Sequence, residues 1–426
     1  MEKRKVTILI AIATVVAVTV GAIGWMYAHR IFSEPDMREA IRPTEMTNPG
    51  PQSEPQTTND LLHIVFTREV GGTNHVIYDG RDLGETSDSW PVVSGNHIAF
   101  QRNRDGKEHV MYDGQDLGEG FRIGLDGNHI SFVREVGGKP HVIHDGADFG
   151  EVFQGQDYVY SVYGDTVALV RTVAGKLHVF VNGQDQGETS AESVYAGDGG
   201  VAFFRNISGK DHVIFNGRDY GEGWQIEWVS AGHVYYSKQG SPVKDGGSWY
   251  NDFFRDSEFL GSGQSLAISD DGSHYAIQKQ VSIGEESYEN RVLYDGRDVG
   301  KLGDVLNIYM DGGHFAYYGD MNGEQHVIYD GNDMGVGDNV SLSGDHIAFA
   351  RKVGSEWHVI YDGKDIGVGS YPRILGDDIV VQRSVDGLAH LFLNGSDLGY
   401  CGAQAKGSQT DGCWPELARV GSSNTR

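Results

Sequence analysis

Basic residues and cysteines are scarce in this chain. Against 60 aspartates and glutamates stand only 34 lysines and arginines, a formal net charge of -26 over 426 residues. A surface that acidic repels polyanions, which excludes nucleic acid as a partner of the body of the protein. The two cysteines, Cys401 and Cys413, have no further metal-ligating residues beside them. A zinc site built on them is therefore not expected, and in an oxidising compartment such a close pair forms a loop-closing disulfide. Catalytic signatures are missing too. No G-x-S-x-G elbow and no D-x-[DN]-x-[DN]-G calcium loop occurs. Any carboxylate pair for glycoside hydrolysis is hidden among the 60 acidic residues, and spacing singles none out.

What the chain does have is apolar residues (39%) and glycine (61 residues against ten prolines). The first is enough for a large core, and the second points to many tight turns between short strands. One long uncharged run, VTILIAIATVVAVTVGAIGWMY at residues 6–27, follows Lys3, Arg4 and Lys5. As a helix it spans a ~30 Å hydrocarbon core, and it exceeds the apolar region of a cleaved signal. The expectation is an uncleaved signal anchor, with residues 1–5 cytoplasmic by the positive-inside tendency and everything beyond extracytoplasmic. Residues 31–60, rich in Pro, Glu, Thr and Asn, read as a disordered spacer.

From residue 61 the chain repeats. HVIYDGRDLGE at 75 returns at 109, 141, 178, 212, 291, 326, 358 and 390, with a worn copy, NDFFRDSEFLG, at 251. Ten copies at spacings of 32 to 40 residues make a repeat architecture. Residues 338–369, DNVSLSGDHIAFARKVGSEWHVIYDGKDIGVG, show the grammar of each unit. Four β-branched and aromatic segments, A to D, alternate with turn residues, so each unit is a four-strand meander. The Asp-Gly or Asn-Gly pair between C and D accepts the positive φ angles of a type I′ hairpin. The first unit lacks an A strand, and CWPELARVG at 413–421 matches the A-strand segments SWPVVSGN at 89 and SYPRILGDD at 370. A C-terminal strand completing the first unit would close a ring and remove both exposed sheet edges. The predicted fold is an all-β propeller over residues 61–421, followed by a tail at 422–426.

The recurring SG-x-H-I-A-F-x-R strand, glycine turn, H-V-I-Y strand and D-G turn resemble the WD-like propeller repeats of periplasmic proteins of the TolB type. The resemblance covers residues 61–421 and implies protein partners. Two features depart from it. The units average about 35 residues against the ~40–45 of WD-type repeats. Ten copies also exceed the usual four to eight blades, which leaves seven or eight blades as the alternative. The tryptophan of sialidase-type S-x-D-x-G-x-T-W boxes is missing from the nearest stretches, SDDGSHY at 269 and SVDGLAH at 384.

Histidines recur twice per unit. His63, His97, His129, His233, His274, His314 and His346 open B strands; His75, His109, His141, His178, His212, His326, His358 and His390 open C strands. One residue per blade is spread around a ring rather than gathered at a point, so no metal or other cofactor is expected. The expected partner is the Asp of the D-G-x-D pattern, from Asp82 to Asp397, with the repeating arginines Arg68, Arg102, Arg134, Arg171, Arg205, Arg351 and Arg383 joining them at buried strand ends. Function belongs where a repeat breaks its rule. The B–C turn is usually as short as RDGKE, but swells to residues 237–252 in the sixth unit and 279–291 in the seventh. These neighbouring loops carry Lys244, Asp245, Trp249, Tyr250, Glu285, Glu286 and Tyr288, a mixture of aromatic anchors and polar groups suited to binding. A second candidate is the set Trp90, Phe121, Trp224, Trp228 and Tyr371 near A strands. The sequence thus points to a monomeric, membrane-anchored, non-catalytic scaffold for a protein or cell-surface glycan. An enzyme acting on surface polysaccharide is the alternative.

Overall fold

A computed structural model describes residues 62–87, 91–155, 158–242, 249–283, 288–301, 307–321, 323–401 and 415–419. The anchor at 6–27, the spacer and the C-terminal tail lie outside these. Among the described residues no helix is long and apolar enough to cross a membrane.

The repeats fold as ten four-stranded antiparallel sheets, so the seven- or eight-blade alternative is set aside. In blade 9, A is Asp338–Ser343, B is His346–Val353, C is Glu356–Tyr361 and D is Lys364–Val368. The worn copy is a full blade as well, with C at Trp249–Arg255 and D at Glu258–Gly263. Blade 1 takes its A strand from the far end of the chain. Glu416–Arg419 pairs antiparallel with Leu62–Val70 in the register Leu62↔Arg419 and Ile64↔Leu417, which closes the ring.

Burial falls from the inner strands to the outer one. Ile98, Ala99 and Phe100 are consecutive in a B strand and all buried, because blades stack and cover both faces of the sheet. Period-2 alternation therefore gives way to short apolar runs there. The core is a set of layers between blades: Val65 and Val76 of blade 1 pack with Val93, Ile98, Phe100 and Met111 of blade 2. Each such side chain contributes roughly 1.5–3 kcal/mol on burial. The D strands, such as Arg81–Glu85, are largely exposed.

At the C–D turns both residues take the left-handed conformation expected of type I′, as at Asp79 (φ 50°) and Gly80 (φ 74°). A bulge in each D strand needs a second glycine. At Gly84, φ is +96° and a Cβ would lie 2.8 Å from the Arg102 guanidinium of the next blade.

Candidate functional site

Strand order fixes which turns share a face. A–B and C–D turns emerge at one end of every blade, and B–C turns and D–A links at the other. The two sets of histidines are wall, held by two different aspartates. In the C strand, His75 Nδ1 meets Asp82 at 2.9 Å, and Asp82 Oδ1 accepts the Gly84 amide at 2.7 Å. The same arrangement recurs from His109–Asp116 to His390–Asp397, and Arg291 takes the place of His on Asp298. At Asp116 the His109 bond and the Gly118 amide hold the carboxyl down at about 2. These pairs sit at the exposed outer rim, not at buried strand ends.

The B-strand histidines use the turn aspartate instead, a pairing the sequence reading missed. His97 Nδ1 meets Asp113 Oδ2 at 2.6 Å, while Asp113 Oδ1 accepts the Ile98 amide at 3.0 Å. The signal was present as covariation between repeats. Where the turn residue is Asn182, Asn216 or Asn394, the histidine is replaced by Thr166, Gly200 or Asp378. The amide oxygen still accepts the backbone N–H, as Asn182 does from Val167 at 2.8 Å.

Except for Arg383, whose Nε is buried without a hydrogen-bond partner, the arginines staple blade to blade rather than join these pairs. Arg102 Nη2 donates to the Leu83 carbonyl at 2.7 Å and Nε to the Glu85 carbonyl at 3.0 Å, both in the D strand of the preceding blade. Arg134, Arg205 and Arg351 repeat this fork, and Arg68 closes the ring by reaching Leu398 and Tyr400. Where arginine is missing, a tyrosine hydroxyl takes the carbonyl equivalent to that of Leu83. Tyr236 reaches Tyr220 at 3.1 Å, Tyr275 reaches Leu260 at 3.3 Å, and Tyr317 reaches Val299 at 3.0 Å.

Blades 6 and 7 depart from this regularity. Their B strands, His233–Pro242 and Tyr275–Ser282, are followed by C strands at Trp249–Arg255 and Tyr288–Tyr294. Much of each predicted loop is therefore hairpin stem, and Trp249, Tyr250 and Tyr288 are strand residues. Tyr250 is a half-buried tie rather than an exposed anchor. Its hydroxyl donates to the Gln280 carbonyl of blade 7, which fastens the two stems side by side, and burial raises its pKa. Lys244, Asp245, Glu285 and Glu286 lie outside the described residues, as do the side chains of Trp249 and Tyr288.

The same blade exposes Trp224 (63%), Trp228 (43%) and Phe259 (56%), and Ile283 at the blade 7 tip is 62% exposed. Trp224 stands at the D–A link, at the end of the blade from which the long hairpins emerge. Of the other aromatics, Phe121 is half-buried against Tyr158, Tyr371 is partly exposed at a bulge, and Trp90 lies outside the described residues. Next to Trp228 in the chain, Glu227 accepts a hydrogen bond from the Gln225 amide at 3.0 Å, and burial pushes its carboxyl up to about 7. It is the one carboxyl so raised among the described residues, and nothing in its local sequence marked it. Cys401 is buried and has no free thiol; Cys413 lies outside the described residues.

No protein-family model and no curated protein matches the chain. Among solved structures it is similar to the tricorn protease, at 15% identity and a TM-score of 0.28 over 76% of this chain and 44% of that one. It therefore spans less than half of that protein. It is also similar to the β-propeller domain of the Trilobed protease from Pyrococcus furiosus, at 11% identity and a TM-score of 0.28, covering 72% of this chain and 93% of that one.

Proposed function

We infer that this protein is a binding scaffold, a propeller of the TolB-like kind carried outside the cytoplasm on its N-terminal anchor. Its B–C face at blades 6 and 7 would recruit a protein or a cell-surface glycan. One observation carries the reading: the two overgrown hairpins are locked together by Tyr250 at the end of the blade where the exposed Trp224 stands. A rigid platform bearing large exposed aromatics loses little freedom on binding, which is what a recognition surface requires.

The test compares the full chain with a variant whose 237–252 and 279–291 hairpins are cut to the length of RDGKE, and with Trp224→Ala/Trp228→Ala. Binding is read on a glycan array and by pull-down from the cell envelope. Loss of a specific ligand with cooperative melting retained supports the reading. Unchanged binding by both variants moves the site elsewhere.

Glu227 favours a second reading, a hydrolase acting on polysaccharide, because a carboxyl raised to about 7 suits a general acid. Glycan hydrolysis that Glu227→Gln abolishes without loss of fold would establish that reading in place of the first.

A further inference from the structure

In blade 3 the repeat breaks its rule at a single side chain. The residue just before the C–D turn is Tyr78, Tyr112, Tyr294, Tyr329 or Tyr361 in five of the blades that carry the B-strand histidine. Each tyrosine stacks on that histidine, as Tyr112 does on His97 at 5.5 Å. In four of them, Tyr78, Tyr112, Tyr294 and Tyr329, the hydroxyl then reaches a carbonyl in the A–B turn of the next blade, as Tyr112 reaches Asn128 at 3.2 Å and Tyr329 reaches Asp345 at 3.1 Å. Blade 3 has His144 instead. Its ring stacks on His129 at 5.7 Å with 18° between planes and meets the edge of Phe149. It is only 4% exposed, and neither ring nitrogen has a hydrogen-bond partner.

A buried imidazole with neither nitrogen hydrogen-bonded is a cost, and among the described residues His144 is the side chain that leaves two such atoms unpaired. One donor atom each from His129, His144 and Asp145 lies within 4.8 Å of the others. His144 Nε2 is 3.5 Å and His129 Nδ1 2.7 Å from Asp145 Oδ2. The Ile130 amide, donating to Oδ1 at 2.8 Å, holds that carboxylate in place. Asp165, in the A–B turn of blade 4, brings Oδ1 to 3.7 Å from His129 Nδ1 and is 94% exposed at its side chain.

We propose that His129, His144 and Asp145, completed by Asp165 or water, bind one divalent transition-metal ion of the zinc class on the A–B/C–D face between blades 3 and 4. Two imidazoles and one or two carboxylates are a donor set for Zn²⁺ and for Ni²⁺ or Cu²⁺, and a poor one for Mg²⁺ or Ca²⁺, which take oxygen ligands only. Binding requires His129 to shift its Nδ1 proton to Nε2 or release it, since the ion takes the place of the Nδ1–H···Oδ2 bond. The opposite face, where the recruiting hairpins stand, is not involved, so this site stands independently of the proposed function.

The experiment titrates the metal-free full chain with Zn²⁺ by calorimetry at 0.15 M salt, with Mg²⁺ in parallel. The predicted result is one Zn²⁺ per chain and at least tenfold weaker binding of Mg²⁺. His144→Tyr restores the residue that five other blades use, so the fold should be kept; it should weaken Zn²⁺ at least tenfold. His346→Gln, which alters the equivalent histidine of blade 9, should leave Zn²⁺ binding unchanged. Cobalt(II) should give visible absorption bands of a four-coordinate site that His144→Tyr removes. The proposal is overturned if Zn²⁺ does not bind, if His144→Tyr binds it as tightly, or if Mg²⁺ binds equally well, which would mark diffuse attraction to an acidic surface.

Discussion

Replacing Arg102 by leucine isolates the inter-blade staple. The guanidinium makes two charge-assisted bonds, to the Leu83 carbonyl at 2.7 Å in a partly buried setting and to the Glu85 carbonyl at 3.0 Å at the surface. Hydrogen bonds to charged groups are worth about 1.5–3 kcal/mol, and solvent reduces the outer one. The guanidinium also lies over the Phe100 ring, 5.5 Å from its centroid, a contact that leucine keeps in part. The sum is a loss of about 2 kcal/mol. Arg102→Lys should lose most of the same amount, because an ammonium is a point charge and cannot fork to two carbonyls. The assay is a urea midpoint at pH 7 for wild type and both variants, with hydrogen exchange at the blade 1–2 junction to show where the loss falls. If Arg102→Leu costs less than about 0.5 kcal/mol, the level of an ordinary surface substitution, the staple is decoration and the reasoning about the junctions fails.

Ring closure makes a sharper local prediction. Leu417, 1% exposed in the C-terminal strand, should on change to Asp release that strand, and amide exchange at Leu62–Val65 should accelerate while blades 5 and 6 stay protected; uniform protection would show that the ring does not depend on it. The His346 pair tests electrostatics. Hydrogen bonding to Asp362 raises the His346 pKa, with Asp377 adding to it, so the pair stabilises fully below the ordinary histidine range and the effect fades as pH rises through the raised value. Asp362→Asn should then cost more at pH 5 than at pH 9, by less than about 1 kcal/mol at so exposed a site; NMR titration of His346 should show its pKa fall. Glu227 has the opposite sign. A carboxyl raised to about 7 is easily kept neutral at pH 5 and must ionise in a partly buried place at pH 8. Glu227→Gln should therefore leave stability unchanged at pH 5 and raise it by about 2 kcal/mol at pH 8, whereas equal effects at both pH values would place the carboxyl in solvent.

By itself the sequence determined the ten-fold repeat, the four-strand grammar, the hairpin turns and the closing strand, while the structure decided that each copy is one blade. Each rests on local pattern: Asp79–Gly80 accepts left-handed dihedrals whatever surrounds it, and the WPELARVG segment shares its aromatic-Pro start with the A-strand segments at 90 and 371. The pairing of His75 with Asp82 was legible for the same reason, since a two-residue turn brings strands C and D together at a fixed offset. What only tertiary structure decided are contacts between blades, because nothing in a repeat's own period says which neighbour a side chain meets. Arg102 reads as a partner for a nearby aspartate, yet it crosses to the preceding blade. Tyr250 reads as an exposed anchor, yet its hydroxyl spans to blade 7. His144 reads as one histidine among many, and becomes unusual only when burial removes water from its ring and leaves both its nitrogens unpaired beside His129 and Asp145. Side-chain length and burial, set by the stacking of blades, separate a wall from a site.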